Sequence, residues 1–173
     1  SFASNLLERE SPVHVLELSS FQLDDIRDFR PHIAMLLNIT PDHLDRYDYK
    51  MEHYAKAKFR IIENQRPEDL FLYNGSDPVT MEYYRKTKIP GKTLEIRGDM
   101  VRDGFLNAGD QVFDLNKSRL KGLHNAMNAL FAIHAAQAMG VPAEVIQEGL
   151  SSFVNAPHRM EWVAEIAGVA YYN

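Results

Sequence analysis

The chain has 173 residues, 45% of them hydrophobic and 25% charged, and its 24 acidic and 19 basic side chains give a formal net charge of −5. That length suits one substantial core, or one domain plus part of another, and the interspersed charges exclude the basic footprint of a nucleic-acid or anionic-membrane binder. Cysteine is absent, which removes disulfides and thiolate metal sites and fits a cytoplasmic setting; no run nears the roughly 20 apolar residues that span a bilayer.

The opening SFASNLLERE lacks a secretory pattern and an initiator methionine, and the closing GVAYYN reads as a strand cut short. Both ends are expected to be edges of a longer protein. Residues 5–10 read as the end of a helix. Residues 13–18 (VHVLEL) and 33–39 (IAMLLNI) are apolar runs with little polar alternation, as in parallel strands covered on both faces. Between them, residues 21–29 can form a short crossover helix closed before Pro31.

After Ile39, Thr40 can cap a helical turn with Pro41 in its first position. A longer helix is expected over 50–64, a strand over 69–74 (DLFLYN) and a turn at NGSDP. Residues 81–86 read as helix. Residues 93–115 alternate strand-like pieces with glycine turns, which predicts an antiparallel ribbon. A strong helix over 123–139 ends at Gly140, and Pro142 starts another over 143–153. NAPHR at 155–159 reads as a loop, and 160–172 as a hairpin opening another domain. The sum is an α/β chain: a three-layer α/β/α domain with a mostly parallel sheet and an antiparallel insertion.

In such sheets, ligands collect beyond the carboxyl ends of the strands, where Glu17–Ser20 and Asn38–His43 are expected. Glu17 near a strand end is costly to bury unpaired. It can reach solvent, pair with an arginine, or bind a hard cation alongside the hydroxyls of Ser19 and Ser20. His43 can cap or pack, or join Glu17 in a divalent site. Lys58 falls on one helical stripe with Met51, Tyr54, Ala55 and Ile62. It can snorkel; held inside, desolvation favours the neutral amine, which reacts with carbon dioxide to an anionic carbamate able to join a metal site. Asn125 and Asn128, spaced i and i+3 at a helix start, can cap that helix or read an adenine edge. Arg159 can reach a phosphate or pair with a surface acid.

Taken in order, VLELSSFQL, NITPDHLDRY, YAKAKFRI, GLHNAMNAL and PHRME resemble the Mur ligase family over about residues 13–161, and the ELSSFQL form is that of its D-glutamate-adding branch. The resemblance implies that Glu17 and His43 bind magnesium and that Lys58, carbamylated, holds a second magnesium. It implies that Asn125 and Asn128 contact the adenine of ATP, Arg159 lies near its phosphates, and Ser19 lies close to the muramoyl substrate. Lys58 and His43 would then be catalytic.

The implied reaction activates UDP-N-acetylmuramoyl-L-alanine with ATP as an acyl phosphate, which the D-glutamate amine attacks. Residues 1–155 would be the C-terminal portion of a central ATP-binding domain, and 156–173 the start of an amino-acid-binding domain. The parent is expected to be monomeric. No GxxGK[ST] phosphate loop occurs, so the chain by itself is expected to be inactive. A sister amide ligase of the folylpolyglutamate type, or a non-catalytic nucleotide-binding α/β domain, are the competing readings.

Overall fold

The computed structural model describes residues 11–154 and 162–172. Its centre is a parallel sheet of three strands, β1 (Ile33–Leu36), β2 (Leu70–Asn74) and β3 (Lys92–Ile96), in the order β1-β2-β3. Ile33 lies beside Leu70 and Leu70 beside Lys92, so the strands start level and finish level. Ahead of the sheet lies α1 (Ser20–Leu23), a single turn. Between β1 and β2 come a 3₁₀ turn at Leu44–Tyr47 and helix α2 (Met51–Phe59), which runs into a second 3₁₀ turn at Arg60–Ile62. Helix α3 (Pro78–Lys86) carries the chain from β2 to β3.

Alternation along the strands divides the core in two. Phe71 and Tyr73 of β2 pack with Tyr54, Ala55 and Phe59 of α2, while Leu72 and Ile96 pack with the helices and ribbon that follow. Side chains of successive strand residues point to opposite faces, so a strand buried on both sides reads as a continuous apolar run. Phe71 and Leu72 are both fully buried.

The second layer is built from the antiparallel ribbon β4 (Val101–Arg102), β5 (Phe105–Ala108) and β6 (Gln111–Asp114), then α4 (Gly122–Ala138) and α5 (Ala143–Ser152). Leu106, Phe113, Leu130, Phe131 and Ile133 are its fully buried centre. Gly140, at φ +76°, ends α4 in the left-handed region that costs glycine nothing, and Pro142 caps α5. A separate hairpin joins β7 (Trp162–Ile166) to β8 (Val169–Tyr172). The molecule is thus a mixed α/β fold with helices on both faces of a parallel sheet and an antiparallel insertion.

Four expectations are corrected. Residues 13–18 form no strand: they pair with no described strand, and Val15 stays 83% exposed. An apolar run becomes a strand only when a neighbour accepts its backbone hydrogen bonds. The crossover helix is shorter than expected, confined to Ser20–Leu23. Residues 92–96 belong to the parallel sheet and not to the ribbon, because α3 returns the chain to pair beside β2. Finally, Thr40 and Pro41 start no helical turn; the turn begins after His43, whose own backbone is left-handed at φ 49°. The helix expected over 5–10 and the loop at 155–159 lie outside the described residues. Among the described residues, no helix is long and apolar enough to cross a membrane.

Candidate functional site at the carboxyl ends of the strands

All three parallel strands finish at one end of the sheet, and the turn after β2 ties those ends together. Asn74 donates its side-chain amide to the carbonyl of Leu37 at 2.8 Å and accepts the Ser76 amide at 2.8 Å. Gly75 donates its N–H to Ile96 O at 2.9 Å, and Ser76 Oγ accepts the Gly98 amide at 2.9 Å. Asp77 caps α3 with Pro78 in the first position; its Oδ2 accepts from Thr80 N and Ile39 N at 3.0 Å each, and from the Thr80 hydroxyl. A cap of this kind stabilises a helix by about 1 kcal/mol. Here the same oxygen also holds the chain leaving β1.

That held chain carries His43. Three non-glycine residues in this stretch are left-handed, His43, Asp48 and Tyr49, at φ 49°, 53° and 57°. Such residues cost roughly 1–3 kcal/mol each and cluster at functional sites. The His43 ring meets Phe21 edge-on at 6.4 Å, and the Arg46 guanidinium lies 4.9 Å over the Phe21 ring. Asp42 Oδ2 is 3.6 Å from His43 Nε2. The segment bearing Glu17 and Ser19 therefore abuts the loop bearing His43. Ser19 heads α1, its N–H donating to Gln22 Oε1 at 2.8 Å. Glu17 and Ser19 are exposed, as is His43.

Lys58 is half-buried on the expected stripe, where Tyr54, Ala55 and Ile62 are buried. Its Nζ lies 3.4 Å from the carbonyl of Asn38 and 5.0 Å from the Tyr54 ring centre. Both partners suit an ammonium or N–H donor. For a hard cation the donors fit in kind, an exposed carboxylate on Glu17 and an exposed imidazole on His43, carried by segments in contact. Among the described residues no three His, Asp or Glu side chains gather as a metal site. The unmodified Lys58 amine is a donor and adds no oxygen ligand.

A second feature lies between α4 and α5. An apolar groove of about 670 Å³ is walled by Leu120, Ile146, Leu150 and Phe153, with Asn125 and Asn128 as its amide-bearing residues. That volume is in the range of small-ligand sites. Asn125 Nδ2 donates to Lys121 O at 2.8 Å, and Asn128 Nδ2 lies 3.3 Å from His124 Nε2. Neither side chain caps the amides that open α4, whose N-cap is Lys121 with no side-chain cap bond. Arg159 lies outside the described residues.

The reading of residue types missed Asn74 and Asp77. NGSDP reads as a plain turn, yet Asp-Pro is also an N-cap followed by a first-turn proline, and that signal marks Asp77 as the start of α3.

The chain is thus an α/β domain with polar loops gathered at the strand ends and an amide-edged groove between α4 and α5. Residues 1–136 match the family model described as the Mur ligase middle domain, and the chain belongs to the Mur ligase family. It is 40% identical, over 186 aligned positions, to the UDP-N-acetylmuramoylalanine–D-glutamate ligase of Porphyromonas gingivalis, covering all of this chain and 41% of that protein. The protein of the same description in Caldanaerobacter subterraneus is 41% identical over 166 positions, covering 92% of this chain and 36% of that one. The chain thus spans about two fifths of the length of the curated relatives it matches. Among solved structures, MurF from Acinetobacter baumannii superposes with a TM-score of 0.65 at 21% identity, covering 80% of this chain and 32% of that one. A UDP-N-acetylmuramate:L-alanyl-gamma-D-glutamyl-meso-diaminopimelate ligase from Neisseria meningitides gives 0.56 at 24% identity, covering 73% and 41%. At that identity the superpositions speak for the fold alone.

Proposed function

We propose that the protein containing this chain joins D-glutamate to UDP-N-acetylmuramoyl-L-alanine with ATP, in the cytoplasmic synthesis of peptidoglycan precursors. The observation that carries this reading is 40% identity, across the whole chain, to proteins described as that ligase. The contact of Phe21, four residues after Glu17, with His43, and that of Lys58 with the Asn38 carbonyl just beyond β1, support it.

Glu17 and His43 would hold magnesium, and Lys58, once carbamylated, would complete the anionic donor set. Magnesium supplies charge neutralisation where a phosphate and a carboxylate must approach one another. Asn125 and Asn128 would receive the adenine in the apolar groove, whose walls exclude water from the base. Arg159 would lie near the phosphates and Ser19 near the muramoyl group. Residues 1–155 are assigned to the ATP-binding domain and 156–173 to the start of the amino-acid-binding domain, in a monomeric parent.

The full-length protein should release phosphate from ATP in the presence of UDP-N-acetylmuramoyl-L-alanine only when D-glutamate is added. A panel of other amino acids serves as the comparison. Turnover with a different amino acid, or with none, would remove this assignment. The 173-residue chain assayed alone should show no turnover.

A further inference from the structure

The Asn38–Ile39 peptide group is gripped at both ends. Its carbonyl faces the Lys58 amine at 3.4 Å, and its N–H donates to Asp77 Oδ2 at 3.0 Å. Ile39 is fully buried, so this N–H has no water to fall back on and its loss of a partner would be costly. The carboxylate oxygen is itself fixed by two Thr80 donors, the amide at 3.0 Å and the hydroxyl. Hydrogen bonds to an ionised acceptor are about twice as strong as neutral ones. The neighbouring Asn74 side chain fixes the Leu37 carbonyl at 2.8 Å, so the segment entering the His43 loop is held at two successive points.

We propose that Asp77 is a positioning residue for the ligation reaction, setting the Asn38–Ile39 peptide so that Lys58 and the His43 loop are presented together. The proposal rests on the functional reading above. A helix cap needs only the Thr80 amide; the additional bond to Ile39, 38 residues away in sequence, ties the cap to the site. Misplacement of a reacting group by about 1 Å can cost 10²-fold in rate, so a loosened peptide should lower turnover more than it lowers affinity.

The test uses the full-length protein with Asp77→Asn, Asp77→Ala and, as a stability-matched comparison, Phe113→Leu in the ribbon core. Three quantities are measured: melting temperature, kcat and KM for ATP, and, in bicarbonate-free, degassed buffer so that Lys58 is a free amine, acetic-anhydride labelling of Lys58 relative to exposed Lys56 on the same helix. Asp77→Ala should lower kcat about tenfold or more, with KM for ATP changed less than about threefold, and should raise the Lys58/Lys56 labelling ratio. Asp77→Asn, which keeps an acceptor without the charge, should fall between it and the parent. If Asp77→Ala does not fold, Asp77→Asn carries the comparison. Phe113→Leu should leave both readouts in place at equal loss of stability. Folded Asp77 variants with the parent's kcat and labelling ratio would overturn the proposal, as would a kcat loss reproduced by Phe113→Leu. A parent protein without D-glutamate-dependent turnover would instead refute the functional reading, and the labelling ratio would still judge the clamp.

Discussion

Arg30 closes on Asp69 with two side-by-side hydrogen bonds, Nε to Oδ2 at 2.6 Å and an Nη to Oδ1 at 2.8 Å, joining the approach to β1 with the start of β2. Asp69 is buried and also accepts the Arg66 amide at 2.7 Å. The bond to Arg30 holds the Asp69 carboxyl below the usual carboxylate range. A carboxylate depressed in the folded state stabilises above its unfolded value, about 3.9, and the contribution is lost as pH falls through the folded value.

Replacing Arg30 by Met strands that carboxylate. The urea midpoint at pH 7 should fall, because a carboxylate with 1% side-chain exposure loses the guanidinium that satisfies it. The gap between parent and variant should narrow as pH falls below about 3.9, where the parent loses what the pairing contributes. Urea titrations at pH 7 and pH 3 check both; an unchanged midpoint at pH 7 would show the pair to contribute no more than an exposed surface bridge.

His134 gives the fold a second acid sensitivity. It is buried on α4, its Nε2 has no hydrogen-bond partner among the described residues, and burial lowers its proton affinity below the ordinary imidazole value. The unfolded chain then binds the extra proton first, so stability is full above about pH 6.5 and declines as pH falls below it. His134→Leu should flatten the pH 5–6.5 portion of the stability profile. An unchanged profile would place the sensitivity elsewhere.

Under the proposed nucleotide role, Asn128→Ala in the full-length protein should weaken ATP binding about 3–10-fold, the worth of one ordinary hydrogen bond. The melting temperature should hold, since among the described residues the Asn128 side chain bonds only its helix neighbour His124. Calorimetry with ATP and GTP separates loss of base reading from general loss. Equal affinity in variant and parent would remove Asn128 from the site.

Tyr49 is 78% exposed and left-handed at φ 57°. Tyr49→Gly forfeits little packing and relieves a backbone cost of about 1 kcal/mol, partly offset by the freer unfolded chain. A net gain of about 0.5 kcal/mol is expected in denaturant titration. A loss of that size would show that the ring contributes more than the backbone costs.

What could be read from the chain was what depends on neighbours in sequence. Gly140 and Pro142 mark the break between α4 and α5, and the stripe through Tyr54, Ala55 and Ile62 marks the buried face of α2. Parallel pairing depends on distant partners, so the pattern puts 93–96 with the ribbon and 13–18 in a strand. Likewise, Glu17, His43 and Lys58 drew notice as residue types, whereas Asp77 did not. Its importance lies in a bond to Ile39 that only the fold creates.

The turn at residues 74–77 touches the chain leaving β1 at Leu37 and Ile39, and the end of β3 at Ile96 and Gly98. It acts as a rivet through the mouth of the sheet, where a hinge would have left one of those strands free. A movement that keeps these bonds carries the ends of all three strands along together.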